Sequence, residues 1–297
     1  MKGEGSLPYL IPVQYHRMEY PAQIIPSISE AAGHFDIKSL RCHGNYSLHT
    51  EYSYGSRKFS SPAVQPYDRI KSAHSHGIPK LWYDREWSME FAEFILDCTS
   101  FRKPPEIIEI HPPFSDYADL PTFLTYFRVF QKRISERYPE TKIFIENRSG
   151  SVYREGKFIL STMEQLLELS DLIDKNHLTL RITLDIPQLF TAHGISPSRL
   201  KEMQNLFDEI KRIRHNIEGI HLWGKKENQN GRRIAHHGDL NNYFKGRNHF
   251  KEAFLQSMHQ SFDDDLHRYF VPEVNSNSKD LQSIVGDLVE SGFIFVH

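Results

Sequence analysis

Five residues of metal-ligating type recur through the last two thirds of the chain: His111, Glu146, Asp185, His221 and Glu273. Each ends, or nearly ends, an apolar run: EIIEIH (106–111), KIFIE (142–146), LRITLD (180–185), EGIHLW (218–223) and YFVPEV (269–274). The intervals between them are 35, 39, 36 and 52 residues. A carboxylate at the end of an apolar strand is costly unless something positive compensates it. A divalent cation shared by Glu146, Asp185, His221 and Glu273 would do so. Mixed imidazole and carboxylate ligation suits zinc first, with manganese or iron as alternatives. Any one of these residues alone is an ordinary solvated strand end; five in order, at the spacing of one repeating unit, are read as a ligand set.

The elements that must position them alternate strand and helix. Further candidate strands are YLIPV (9–13), KSLRCH (38–43) and PKLWY (79–83). Helical spacing of Phe123, Phe127, Phe130 and Ile134 predicts a helix over 122–137. Ser161 and Glu164 are expected to form a capping box. Ser196–Pro197 opens a helix with Leu200, Met203, Phe207, Ile210 and Ile213 on one face. A last helix over 278–291 is stopped at Gly292. Eight strands alternating with helices predict an α/β chain, a (β/α)8 TIM barrel. It forms a single domain over 1–297 with the metal site at its C-terminal mouth. A doubly wound open sheet is the alternative, disfavoured because no glycine-rich phosphate turn follows an early strand. Residues 44–78, polar and turn-rich, are expected to form a long loop.

Bulk properties narrow the class. The chain has 297 residues, 39% hydrophobic and 25% charged, as in an ordinary globular protein. A formal charge of −2 gives no global attraction to nucleic acid or membrane. Cys42 and Cys98 cannot make a disulfide framework, and no signal-like or membrane-spanning run is present, so a cytoplasmic location is expected. Nothing in the chain specifies an oligomeric state.

IFIENRSG, LRITLDIPQLFTAHG, IEGIHLWGKK and VPEVNS resemble, in order, the glutamate, aspartate, histidine and glutamate strand-end motifs of the xylose isomerase-like barrel superfamily. That superfamily contains sugar isomerases and epimerases and the endonuclease IV type (AP endonuclease family 2) of apurinic-site nuclease. EIIEIHPP and RCHGNYSL resemble the nuclease strands that carry two zinc-binding histidines, which implies His111 and His43 as ligands. In that branch Glu146 would bridge two zinc ions. His43 lies 68 residues before His111, about two units, so either PKLWY is not a barrel strand or the match at His43 is misplaced. The nuclease's third zinc uses a histidine where this chain has Gln188. It also uses an aspartate and a histidine on a later loop, where this chain has Ala235 and His237. The resemblance therefore implies a third site that is absent or rebuilt, for instance from His236, His237 or Asp239.

Lys225, Lys226, Arg232, Arg233, Lys245, Arg247 and Lys251 form the clear charge cluster. Read functionally, Lys225, Arg232 and Arg233 contact substrate phosphates, Arg148 binds a substrate anion, and Tyr243 and Phe244 stack on bases. The favoured function is a metal-dependent phosphodiester hydrolase of the endonuclease IV type acting through metal-bound hydroxide. The alternative is a one-metal sugar isomerase or epimerase with Glu146 and Glu273 as acid and base. A non-catalytic binding barrel comes third. The expected partner is nucleic acid or a phosphorylated or sugar substrate, with no membrane.

Overall fold

The computed structural model describes residues 6–33, 44–50, 64–73, 77–196 and 199–296. Eight parallel strands carry the architecture. They are β1 (Tyr9–Gln14), β2 (Ile28–Gly33), β3 (Asn45–Thr50), β4 (Ile107–Ile110), β5 (Lys142–Glu146), β6 (Arg181–Asp185), β7 (Ile217–Leu222) and β8 (His267–Pro272). Their hydrogen-bonded order is β8-β7-β6-β5-β4-β3-β2-β1, and β1 also pairs with β8, so the order is cyclic. This is the strand topology of a (β/α)8 barrel and not of an open doubly wound sheet. The helices are α1 (Asp68–Ala73), α2 (Arg85–Thr99), α3 (Leu120–Arg137), α4 (Met163–Asn176), α5 (Ile186–Ala192), α6 (Leu200–Ile213), α7 (Leu240–Tyr243), α8 (Asn248–Ser261) and α9 (Ser278–Glu290). Among the described residues no helix is long and apolar enough to cross a membrane.

By contacts the chain divides into two compact units, Met1–Ser29 with Ile182–His297, and Glu30–Arg181. In the first, β1 pairs with β8 (Tyr9 opposite His267) and β8 with β7 (Val271 opposite His221). β7 in turn pairs with β6, placing Asp185 opposite His221. Phe190, Phe207 and Phe254 meet edge to face in its core, with centroids 5.7–5.9 Å apart. Of the face predicted for α6, Met203, Phe207, Ile210 and Ile213 are buried together with Leu206, while Leu200 is half-buried.

In the second unit β3 pairs with β4 (His49 opposite Glu109) and β4 with β5 (Ile110 opposite Ile145). Its core is an aromatic cluster in which Trp82 packs edge-on against Trp87, Phe91, Phe123 and Phe130. Asp84 and Asp119 cap α2 and α3 through their side chains, each accepting from the backbone N–H three residues on.

Several expectations require correction. PKLWY is not a strand: Leu81 and Trp82 lie in a turn, Trp82 with a φ of 54°. Its apolar character serves the aromatic cluster. Residues 44–78 are not one long loop, because β3 and α1 lie within them. KSLRCH, and with it His43 and Cys42, lies outside the described residues. The box at α4 sits one residue later than expected, since the helix begins at Met163 and puts Gln165 at its third position. Gln165 Oε1 accepts from the Thr162 and Ser161 N–H groups at 3.2 and 2.8 Å.

Candidate metal centres

Asp185, His221 and Glu273 come together in the first unit because of register. Asp185 and His221 are direct partners across β6 and β7. Glu273 follows β8, its backbone N–H donating to the Leu222 carbonyl at 3.1 Å. One donor atom from each of the three lies within 4.8 Å of the others, and all three residues are buried. His221 Nδ1 is 3.4 Å from Glu273 Oε1, and His236 Nδ1 is 3.4 Å from Glu273 Oε2. Two carboxylates and an imidazole with no solvent to share their charge form a donor set suited to a divalent cation.

The backbone brings His236 to Glu273 through a close approach. A Cβ on Gly224 would sit 2.0 Å from the Gly238 carbonyl oxygen, so only glycine lets these two segments touch. His236 adopts a φ of 60° and stacks on the Trp223 indole, with centroids 4.4 Å apart.

His49, His111 and Glu146 form a second set, in the second unit. Extending the β4–β5 register one residue past Ile110 and Ile145 sets His111 abreast of Glu146, and His111 Nε2 lies 2.8 Å from Glu146 Oε2. His49 Nε2 is 3.3 Å from His111 Nε2 and 3.4 Å from Glu146 Oε2. A tetrahedral shell with bonds of about 2.0–2.1 Å has edges of about 3.3 Å. The two edges from His49, at 3.3 and 3.4 Å, match that spacing, while His111 and Glu146 stand at hydrogen-bond distance, 2.8 Å. Glu30 Oε1, 2.6 Å from His49 Nδ1, accepts from it and turns Nε2 toward the other two.

The charges around this set are unequal. Burial by itself lowers His49, but Glu109, Glu146 and Glu30 outweigh it and hold its pKa well above the usual histidine value. Burial lowers that of His111. Burial also works to raise Glu146, yet Arg148, His111 and His49 hold its carboxyl well below the usual range. Arg148 achieves this with Nη1 3.6 Å from Glu146 Oε2 while its guanidinium lies over the Phe158 ring.

The remaining candidate residues divide. His237 Nδ1 donates to the Ala235 carbonyl at 2.9 Å, since a carbonyl can only accept. The neutral ring's lone pair is therefore on Nε2, as a ligand or substrate contact needs. Gln188 turns its amide nitrogen toward Asp185, Nε2 donating to Oδ2 at 2.8 Å. Arg233, expected on a phosphate, spends Nη2 on the Lys225, Asn242 and Tyr243 carbonyls at 2.8–3.0 Å. It ties the antiparallel hairpin Lys225–Glu227 and Arg233–Ala235 to α7. Lys225 is in that hairpin, its pKa lowered by burial and by Arg233, whereas Arg232 is exposed. Phe244 is buried against Phe250 and Phe254 and is not available to stack on a base.

Sequence reasoning missed His49, Glu30 and Trp223. The alternation in NYSLHT was a usable signal for a strand ending near His49, but the stretch was read as loop. No residue pattern pointed to Glu30.

Neither a protein-family model nor a curated protein sequence matches the chain. Solved structures do. An AP endonuclease, family 2, from Brucella melitensis matches with a TM-score of 0.51 at 8% identity, over 94% of this chain and 98% of that one. A D-tagatose 3-epimerase-like protein matches with a TM-score of 0.48 at 17% identity, over 95% and 97%. A xylose isomerase domain protein from Alicyclobacillus acidocaldarius subsp. acidocaldarius matches with 0.44 at 9%, over 95% and 98%. At such identities the likeness to the endonuclease is one of fold, and with the cyclic parallel strand order it makes the chain a (β/α)8 barrel.

Proposed function

We propose that the chain is a metal-dependent enzyme that hydrolyses a phosphodiester substrate. It would hold one divalent cation at Asp185, His221 and Glu273 and one at His49, His111 and Glu146. Zinc is the first candidate, manganese and iron the alternatives. The observation that carries this reading is the second set, since a one-cation sugar isomerase has no need of it. When bound, a divalent cation supplies Lewis acidity toward a phosphoryl oxygen.

The chain's own residues supply the rest. Glu146 is kept ionised by Arg148 and His111, so it remains a ligand and not a proton donor near neutral pH. Glu273 lies between His221 Nδ1 and His236 Nδ1, one oxygen 3.4 Å from each, so that the two imidazoles orient its carboxylate. Arg232 and Lys226, both exposed on the hairpin, can meet flanking phosphates where Arg233 is committed to the backbone. The buried free thiol of Cys98, pushed up to about 12 by burial, fits a reducing, cytoplasmic location.

The decisive measurement is metal content per chain, followed by assay on abasic duplex DNA beside a panel of ketoses. Two cations, with one lost in His111→Ala, and cleavage of the DNA are expected. One cation unaffected by that change, with turnover of a ketose, would replace this reading with the sugar isomerase one.

A further inference from the structure

Asp185 is held from two directions. The Gln188 backbone N–H donates to Oδ1 at 2.8 Å and its side-chain Nε2 donates to Oδ2 at 2.8 Å. The Trp223 indole Nε1 donates to Oδ2 at 2.9 Å. Asp185 is fully buried, and Gln188 and Trp223 are buried beside it.

We propose that Gln188 and Trp223 are positioning residues. They fix the rotation of the Asp185 carboxylate and thereby set the cation affinity of the Asp185, His221 and Glu273 set. This rests on the metal reading above. A carboxylate turns about its Cβ–Cγ bond in a broad, shallow well. Donors on both of its oxygens remove that freedom. The indole suits the task because its N–H is rigid in the ring plane. The ring is itself held, stacked on His236 and set edge-on to Tyr243. Gln188 contributes through both its backbone and its side chain, because Ile186, Pro187 and Gln188 form the first turn of α5 directly behind Asp185. A group without the amide N–H at this position would take one donor from Oδ2, and a carboxylate there would face it with like charge. The arrangement also accounts for the polarity of a tryptophan in so apolar a segment as IHLW: its N–H is the part the site uses.

The test is titration of the chelator-stripped full chain with Co2+, following calorimetric affinity and the visible absorption of the bound ion. Trp223→Phe keeps an aromatic ring over His236 and removes the donor; Gln188→Glu keeps the shape and puts a negative charge beside Asp185. Each is expected to weaken Co2+ binding at this set about ten- to a hundredfold and to alter its absorption band. Trp223→Phe should lower the apo thermal midpoint by roughly 3–8 °C and leave the transition cooperative, which separates positioning from unfolding. His49→Ala in parallel should leave this absorption band in place. Wild-type affinity and an unchanged band in Trp223→Phe would overturn the positioning role. A wild-type chain that binds no Co2+ would overturn the metal reading and this inference with it. If Gln188→Glu fails to fold, Trp223→Phe decides alone.

Discussion

Replacing Trp82 by phenylalanine tests how the aromatic core of the second unit reaches its candidate metal ligands. Trp82 is 1% exposed and its Nε1 donates to the backbone carbonyl of His111 at 2.8 Å. Two costs follow from Trp82→Phe. Losing the donor strands a buried carbonyl, at about 1–3 kcal/mol. Shrinking the ring opens space among Trp87, Phe91, Phe123 and Phe130, at roughly 1–2 kcal/mol, less than the full truncation to alanine. The sum is about 2–5 kcal/mol, which for a chain of this size lowers the thermal midpoint by roughly 3–8 °C. Calorimetry and urea unfolding give the total. Phe91→Leu, which disturbs the same cluster and touches no carbonyl, gives the packing share. The two variants should differ by at least about 1 kcal/mol. Equal losses, or a loss under about 1 kcal/mol in Trp82→Phe, would refute the idea that the indole fastens the end of β4 and with it His111.

Three further outcomes are expected. His49→Ala should release one cation per chain by elemental analysis, and His43→Ala, measured beside it, should release none; the opposite pattern would return the ligand to His43. Gly224→Ala forces a methyl onto the Gly238 carbonyl and should cost more than about 3 kcal/mol in urea unfolding, with His236 displaced from Glu273. Arg233→Met should lower stability and leave the salt dependence of DNA binding unchanged, whereas Arg232→Gln should reduce that slope by about one phosphate contact. A slope that falls with Arg233→Met would restore its reading as a phosphate contact.

Much of the fold was legible because the later strands announce themselves. From β4 to β8 each apolar run is short, is followed by helical periodicity, and ends within a residue or two of a His, Asp or Glu. The early chain lacks that contrast. β2, ISEAAG, is too small and polar to stand out, and β3 is followed by residues of turn-forming type that drowned its alternation. The 68-residue interval from His43 signalled the trouble, and the β3–β4 connection explains part of it: α1, the Trp82 turn and α2 all lie between His49 and His111. Hydrogen-bond direction was not legible at all. Gln188 and Arg233 are polar residues in the expected neighbourhoods, yet whether they serve a ligand or the chain depends on which atom faces which. A sequence does not state that.

The join between β6 and α5 carries a consequence for how this chain can change. Asp185 is at once the last residue of the strand and the capping residue of the helix, with no loop between them. Barrels diversify by lengthening the connections at the ends of their strands. Here that route is closed, because a single inserted residue would part the carboxylate from either the strand or the Gln188 N–H that it caps. The hairpin of residues 225–235, by contrast, bears its tip in solvent and can be lengthened without moving a ligand. New substrate contacts in relatives of this chain should accumulate there, while the stretch from Asp185 to Gln188 keeps its length.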